Sequence, residues 1–457
     1  MNRFCALKCA FFGGTDLIHA FTFKDMNLVL DVESGALHSV DKPAFDVVRT
    51  LETGGDPYAL PYSREDIRSI LDELDKLKSE GAFDSEPLVP PKGNEESVIK
   101  SLCLHIAHDC NLRCRYCFAS TGDFHGARMF MTEDVAKRSL EFLMERSGRR
   151  HNLEVDLFGG EPLMNFDVVK STVAYGRELE KKYNKHINFT ITTNCVALND
   201  EMIDFINDNM HNVVLSLDGR KEVHDALRPT VNGKGSYDII APKAIELVKR
   251  RGDKEYYVRG TFTNRNLDFT NDVDALRNLG FEQISIEPVV LAEDSPYAIL
   301  ENHVKAILDE YDRLADMLLE SRRNGRWFNF FHFMIDLSGG PCLKKRVSGC
   351  GAGVEYAAIT PDGDIYPCHQ FVGEAKYKMG NVMTGEFDGS MREEFIDCNI
   401  LTKPQCSACF AKYYCAGGCA ANAYKYNGDI RKPYAITCEF EKKRAELALG
   451  IYAKEHQ

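Results

Sequence analysis

The chain has 457 residues, 44% hydrophobic and 27% charged, ordinary usage for a soluble protein of two or three domains. A mostly disordered chain and a collagen-like one are excluded. Lys and Arg number 56 against 69 Asp and Glu, a net charge of −13. So acidic a surface repels phosphate backbones and argues against nucleic acid as a partner. The 16 cysteines are too many for a typical cytosolic enzyme and too dilute for a disulfide scaffold.

Residues 1–16 are a weakly apolar extension interrupted by Lys8. Without a clear cleavage site they read as a ragged start rather than a signal peptide. No apolar run is long enough to cross a bilayer. The expected setting is the cytoplasm, where spaced thiols act as metal ligands or catalytic groups sooner than as disulfides. Residues 17–88 hold short alternating segments, Ile18–Phe23, Asn27–Val32 and Ala36–Val40, then helical stretches Ala44–Glu52 and Arg64–Glu80. In the second helix Ile67, Ile70, Leu71, Leu74 and Leu77 fall at helical spacing, and Gly81 is a stop signal. A small sheet followed by helices predicts a winged-helix-like unit. Glu86–Glu96 is rich in Pro and charge, and a linker is placed at residues 89–100.

Strands and helices alternate through residues 101–300. Strands are predicted at Ser101–Ala107, Glu154–Phe158, Asn188–Thr193, Asn212–Leu217, Tyr256–Thr263 and Gln283–Val290. Helices are predicted between them, among them Thr132–Arg146, Phe166–Tyr183 and Tyr237–Arg251. Six β/α units predict an α/β fold: a parallel sheet with helices outside, open or curved into a partial (β/α)6 barrel. Its ligand site would lie at the C-terminal strand ends. Residues 301–340 are a bridging helical region. In residues 341–457 the cysteines crowd between Cys342 and Cys438. With few helical or strand patterns, that segment is expected to need metal staples in place of a large apolar core. Phe440–Lys454 predicts a closing helix.

Cys110, Cys114 and Cys117 form a C-x3-C-x2-C pattern just after the first strand of the β/α region. Three adjacent thiolates can hold three irons of a 4Fe–4S cube and leave the fourth open. A zinc site short of one ligand and unrelated cysteines are the weaker readings. The stretch His108–Ser120, HDCNLRCRYCFAS, resembles the cluster loop of radical S-adenosylmethionine (SAM) enzymes. The resemblance implies that SAM chelates the open iron and is cleaved to a 5′-deoxyadenosyl radical, while the protein positions the cofactor. It also implies a set of SAM contacts. Phe158–Pro162, FGGEP, resembles the family's GGE motif, in which Gly159 and Gly160 admit the backbone to SAM and Glu161 takes its ammonium. Thr193 and Asn194 end the third strand of this region, and Ser216 and Asp218 end the fourth; both pairs resemble polar contacts to SAM. Tyr116 belongs to the same set. Arg259, on the fifth strand, pairs with the SAM carboxylate in one reading and faces surface or linker in the other.

Further on come Cys350, Cys368, then Cys406-x2-Cys409-x5-Cys415-x3-Cys419, then Cys438. A zinc ribbon would explain the C-x2-C and C-x3-C pairs and leave the other three cysteines idle. The pattern resembles the SPASM extension of radical SAM enzymes, which carries two auxiliary 4Fe–4S clusters and so brings the expected total to three. The resemblance implies Cys406, Cys409, Cys415 and Cys438 as ligands of an outer cluster. It implies Cys350, Cys368 and Cys419 for an inner one nearer SAM, with Cys342 the candidate fourth ligand. Without Cys342 an iron stays open for a substrate thiolate. Cys5, Cys9, Cys103, Cys195 and Cys398 are left over. Cys103 and Cys195 are expected to be small buried hydrophobes.

The N-terminal unit resembles the leader-recognition domain of enzymes that modify ribosomally made peptides, whose edge strand takes the leader by β-augmentation. A purely structural cap is the alternative. IHAFTF with NLVLDVESGALHSVD, CLHIAHDCNLRCRYCFAS and PDGDIYPCHQFVG together resemble the maturases of six-cysteine SCIFF peptides, kin to sactipeptide and ranthipeptide synthases. The implied activity is a thioether bond between a cysteine sulfur and a carbon of another residue, often threonine. The implied partners are a cysteine-rich precursor peptide and a low-potential flavodoxin or ferredoxin. One chain carries a whole SAM site, so a monomer suffices. His369, beside Cys368, is either the catalytic base, with a pKa near neutrality, or a solvent-facing residue. The rival activity is formylglycine formation, as in anaerobic sulfatase maturases. Those typically place Asp after the auxiliary cysteine, where this chain has His369. A non-enzymatic iron–sulfur or zinc peptide-binding protein would not need the SAM-facing motifs.

Overall fold

Period-two alternation builds the N-terminal sheet. The computed structural model describes residues 17–81, 83, 85, 98–335 and 343–456. The expected extension at 1–16, residues 89–97 of the expected linker, and Cys5, Cys9 and Cys342 lie outside them. β1 (Ile18–Phe23), β2 (Met26–Asp31) and β3 (Leu37–Val40) form an antiparallel meander in that order. Ala20 and Val29 pack on Phe45, Val48, Leu51, Ile67 and Leu74 of helices α1 (Lys42–Glu52) and α2 (Arg64–Ser79). Each helix starts on a side-chain cap: Asp41 accepts from the Ala44 amide at 2.9 Å, and Ser63 from that of Asp66 at 3.0 Å. The sheet's opposite face, with Phe21, Phe23, Leu28 and Leu30, joins the main core of the molecule. There it meets the closing helix. A Cβ on Gly450 would stand 2.2 Å from the Phe23 ring. The unit is therefore not a separate appendage, because the last helix of the chain covers half of its sheet.

The central sheet runs β4 (Ser101–His108), β6 (Asn152–Gly159), β7 (His186–Thr193), β8 (Asn212–Ser216), β9 (Tyr256–Phe262) and β10 (Gln283–Pro288) in consecutive parallel order. The short β5 (Met129–Phe130) pairs antiparallel with β4, and β11 (Asn329–Phe330) pairs parallel with β10. Consecutive order is the connectivity of a β/α barrel, but the path ends open, at β11 on one side. All six expected strands are present, with ends shifted by a residue or two. Along them, Leu102, Leu104, Val155, Leu157, Phe189 and Ile191 alternate outward and are buried in the main core. The other face carries Asp156, Thr190, Thr192, Arg259, Thr261, Ser285 and Glu287. A closed barrel fills its interior with branched apolar side chains. This one keeps a polar inner face, fit to admit a polar ligand.

The C-terminal region departs from expectation. β12 (Tyr356–Ile359) pairs parallel with β4, and β13 (Asp364–Tyr366), β14 (Gly380–Asn381) and β15 (Glu386–Phe387) carry the same sheet onward. The region also owns a small core, with Val354, Phe371, Tyr377, Phe395, Ala421 and Ile430. The closing helix spans Ala435–Glu455 and so takes Cys438 into its first turn. A run as short as YAAI has no legible period until it finds a partner strand. Its pairing seats the segment between Cys350 and Cys368 on β4, the strand that leads to Cys110, and Cys103 of β4 feels the charge of Cys368.

Candidate functional site

The pairing of β4 with β6 shifts register between His105 and Ala107, and such an irregularity re-aims a strand end. The chain then turns through Cys110, Cys114 and Cys117, all half-buried. Gly122, at φ +92°, crosses so near Cys110 that a Cβ would stand 2.6 Å from the cysteine Cβ. The Leu112 amide and the Asn194 side-chain amide donate to Cys110 Sγ at 3.4 and 3.5 Å. Burial pushes the Cys110 and Cys114 thiols up to about 12. Metal coordination deprotonates a thiol outright, and the two N–H donors would then stabilise the thiolate. The donor set thus fits a cluster held by three cysteines. Among the described residues no three His, Cys, Asp or Glu side chains converge on a single-ion site.

One strand over, Gly159 and Gly160 serve a close backbone crossing. The Gly160 amide donates to Ala107 O at 2.8 Å, and the Glu161 amide to Asp109 O at 3.0 Å. A Cβ would meet Ala107 O at 2.3 Å from Gly159 and Asp109 O at 2.2 Å from Gly160. Glu161 is fully buried. Its carboxylate accepts from Thr193 Oγ1 at 2.8 Å, the Asn194 amide at 2.7 Å and the Leu163 amide at 3.1 Å. Burial against those hydrogen bonds raises its pKa to about 7. A carboxylate offers roughly four acceptor positions, so one remains. No cation of the described residues pairs with it, which suits an incoming ammonium. Thr193 and Asn194 thereby bind Glu161 and the cysteine loop together; Asn194 Nδ2 also donates to Asn111 Oδ1 at 2.7 Å.

Asp218, also fully buried, is the hub of a second network. It accepts from the Tyr116 hydroxyl at 2.7 and 2.9 Å, from Arg228 Nε at 2.9 Å and from the Thr261 amide at 3.0 Å. Arg228 also lies 5.4 Å from the centroid of the Tyr116 ring. The cluster loop is stitched to the same segment, Arg113 N to Pro229 O and Arg115 N to Leu227 O, both at 2.8 Å. Arg228 carries no motif and was not anticipated. Ser216 ends β8 as expected. Arg259 sits in mid-strand instead, in register with Ser216 on one side and Ser285 on the other.

Below these residues, His332 Nε2 meets Glu287 at 2.9 Å. Against the effect of burial, His332, Arg259 and Arg444 hold Glu287 low. His369 is half-buried beneath Phe118 and Phe158, with ring centroids at 5.6 and 5.0 Å. The expectation of a near-neutral pKa is corrected: burial, then the charges of Arg259 and Lys425, push it down to about 3. Also unanticipated are His105 and His108, whose rings meet at 2.9 Å against Phe124.

The remaining thiols form two groups. Beyond burial, Cys415 feels Cys438 and Cys406, and Cys438 feels Cys406 and Cys409. Cys368 feels Cys419 and Cys350. The expected outer four thus influence one another electrostatically, and so do the expected inner three. Cys103 and Cys195 are buried, and Cys398 Sγ stands 3.1 Å from Ile430 O.

Residues 104–252 match the model of the radical SAM superfamily, and residues 350–410 match that of the SPASM iron–sulfur cluster-binding domain. The chain carries a radical SAM domain followed by a SPASM domain, with SAM and iron–sulfur clusters as the cofactors those domains bind. A cysteine-type anaerobic sulfatase-maturating enzyme of Clostridium novyi is 27% identical over 71% of this chain and 89% of its own length. The mycofactocin maturase MftC of Mycolicibacterium smegmatis is 25% identical over 72% of this chain and 80% of its own. Among solved structures, anSMEcpe with bound AdoMet superposes at TM-score 0.64, 21% identity, covering 76% of this chain and 96% of that one. Streptococcus suis SuiB bound to its precursor peptide SuiA superposes at 0.52, 18% identity, covering 91% and 96%. No helix among the described residues is long and apolar enough to cross a membrane.

Proposed function

We propose that the protein is a peptide maturase that closes thioethers in a cysteine-rich precursor peptide, joining a cysteine sulfur to a carbon of another residue, often threonine, as SCIFF maturases do. Cys110, Cys114 and Cys117 hold the SAM cluster, Cys406, Cys409, Cys415 and Cys438 the outer auxiliary one, and Cys350, Cys368 and Cys419 the inner. With SAM bound and an electron from flavodoxin or ferredoxin, the first cluster supplies a radical able to take hydrogen from an unactivated carbon. Closing the C–S bond would leave one electron over, which the auxiliary clusters would accept, and the chain's own residues bind and orient the reactants. Glu161 takes SAM's ammonium, with Gly159, Gly160, Thr193, Asn194 and Ser216 around it, and Arg259 faces its carboxylate. Asp218, Tyr116 and Arg228 keep the cluster loop rigid. The polar inner face admits the peptide, and the edge of β3 pairs with its leader. His369, its pKa pushed down to about 3 beneath its aromatic neighbours, is too weak a base to keep the proton of the peptide thiol, which passes to water.

The observation that carries this reading is the inner group of three thiols, in which Cys368 feels both Cys350 and Cys419. A cube needs four ligands. Cys342 supplies the last in one form of the proposal; in the other a substrate thiolate does, which lowers its pKa and fixes its position. Formylglycine formation is the second reading, favoured by the sulfatase-maturating relative. One experiment separates them. The monomeric holoenzyme is incubated with a cysteine-rich precursor peptide, SAM and reductant. The expected product has lost two hydrogens per crosslink, 5′-deoxyadenosine appears alongside it, and Cys114→Ala abolishes both. An aldehyde at a former cysteine would establish the second reading instead. Tightly bound zinc without SAM cleavage would sink both.

A further inference from the structure

The turn between β2 and β3 buries Glu33 to 2% exposure. Its carboxylate meets two consecutive residues from the far end of the chain. Lys412, itself 5% exposed, forms an ion pair with Oε1, and the Tyr413 hydroxyl donates to Oε2 at 2.6 Å. Both lie between Cys409 and Cys415. The adjacent Phe410 stacks on His19 of β1, with ring centroids 3.6 Å apart and planes within 5°. His19 Nε2 in turn meets Glu446 at 2.9 Å, on the closing helix whose first turn carries Cys438. The N-terminal unit therefore grips the elements that bear three of the four outer thiols. A buried ion pair repays the desolvation of its charges only with good geometry and added hydrogen bonds. Simple docking of one unit on another does not require it.

We propose that Glu33 is a positioning residue for the outer cluster, so that the N-terminal unit forms part of that cluster's cage. The proposal rests on the assignment of Cys406, Cys409, Cys415 and Cys438 to one cluster. It places the β2–β3 turn, which leads into the proposed leader-binding strand, in direct contact with the segment between two cluster ligands. Removing residues 17–88 would strip Lys412 of its counter-charge and uncover the closing helix. Lost peptide turnover after such a truncation would not report leader recognition alone.

The test uses the reconstituted holoenzyme and two variants. Glu33→Gln removes the charge. The pair Glu33→Leu with Lys412→Met removes both charges together, a replacement that buried pairs tolerate in folding. Amide exchange across residues 406–416 is expected to rise at least about tenfold in both, the mark of a loosened local unit. The electron paramagnetic resonance signal of one auxiliary cluster is expected to shift, with that of the SAM cluster unchanged. Folded variants with wild-type exchange and unaltered auxiliary signals would overturn the proposal. Failure of the cluster assignment itself shows separately, as wild-type protein that binds no iron at the outer thiols.

Discussion

Asp218→Ala is expected to destabilise the protein by about 3–5 kcal/mol, the usual effect of removing one partner of a buried ion pair. Arg228 is 9% exposed, and Asp218 is its only salt-bridge partner among the described residues. Without that carboxylate the guanidinium is left charged in a poorly solvated place, and the Tyr116 hydroxyl loses its acceptor as well. The damage should reach the cluster loop, since the segment around Arg228 is hydrogen-bonded to Arg113 and Arg115. Iron at the SAM cluster should fall while the auxiliary clusters stay loaded. The double replacement Asp218→Ala with Arg228→Met is expected to recover most of the loss, because no charge then remains to be solvated. Urea denaturation of both variants and wild type, at equal slope, measures this. A loss under about 1 kcal/mol for Asp218→Ala would mean that the pair behaves as a surface one, and that loop rigidity comes from elsewhere.

What the amino-acid order reveals, and what it conceals, follows from the range of each interaction. The strands of the β/α region announce themselves because Leu153, Val155 and Leu157 alternate with polar residues, a pattern that needs only neighbours in the chain. The three loop thiols and the outer group are likewise legible, because cluster ligands come at short fixed spacings. β12 is not legible: its four residues gain their meaning only by pairing with β4, more than two hundred positions earlier. Arg228 and Glu33 are concealed for the same reason. Each is an ordinary charged residue in a loop until the fold supplies Asp218 or Lys412. The GGE motif was legible, but with an incomplete cause. Its glycines are explained by the nearness of Ala107 and Asp109 as directly as by any ligand.

That cause makes Gly160→Ala a severely damaging addition of a single methyl group. Its Cβ would stand 2.2 Å from Asp109 O and 2.7 Å from Asp109 C. Both atoms are backbone, so no side-chain tip can swing aside. Asp109 immediately precedes Cys110, and Gly160 immediately precedes Glu161. The two segments must part by about 1 Å, a displacement that can slow a positioned reaction about 100-fold. SAM cleavage is therefore expected to fall by at least about that factor, with weakened SAM binding at equilibrium and auxiliary iron unchanged. Gly159→Ala should be at least as severe, since φ +127° there adds backbone strain to a 2.3 Å approach to Ala107 O. Gly126→Ala is the control. It lies in the same loop, and its Cβ would have only Asp123 O for company, at an ordinary 3.5 Å. Wild-type cleavage by Gly160→Ala would show that this crossing does not set the distance between the cluster loop and Glu161. Equal losses in Gly160→Ala and Gly126→Ala would point instead to a loop that tolerates no added side chain anywhere.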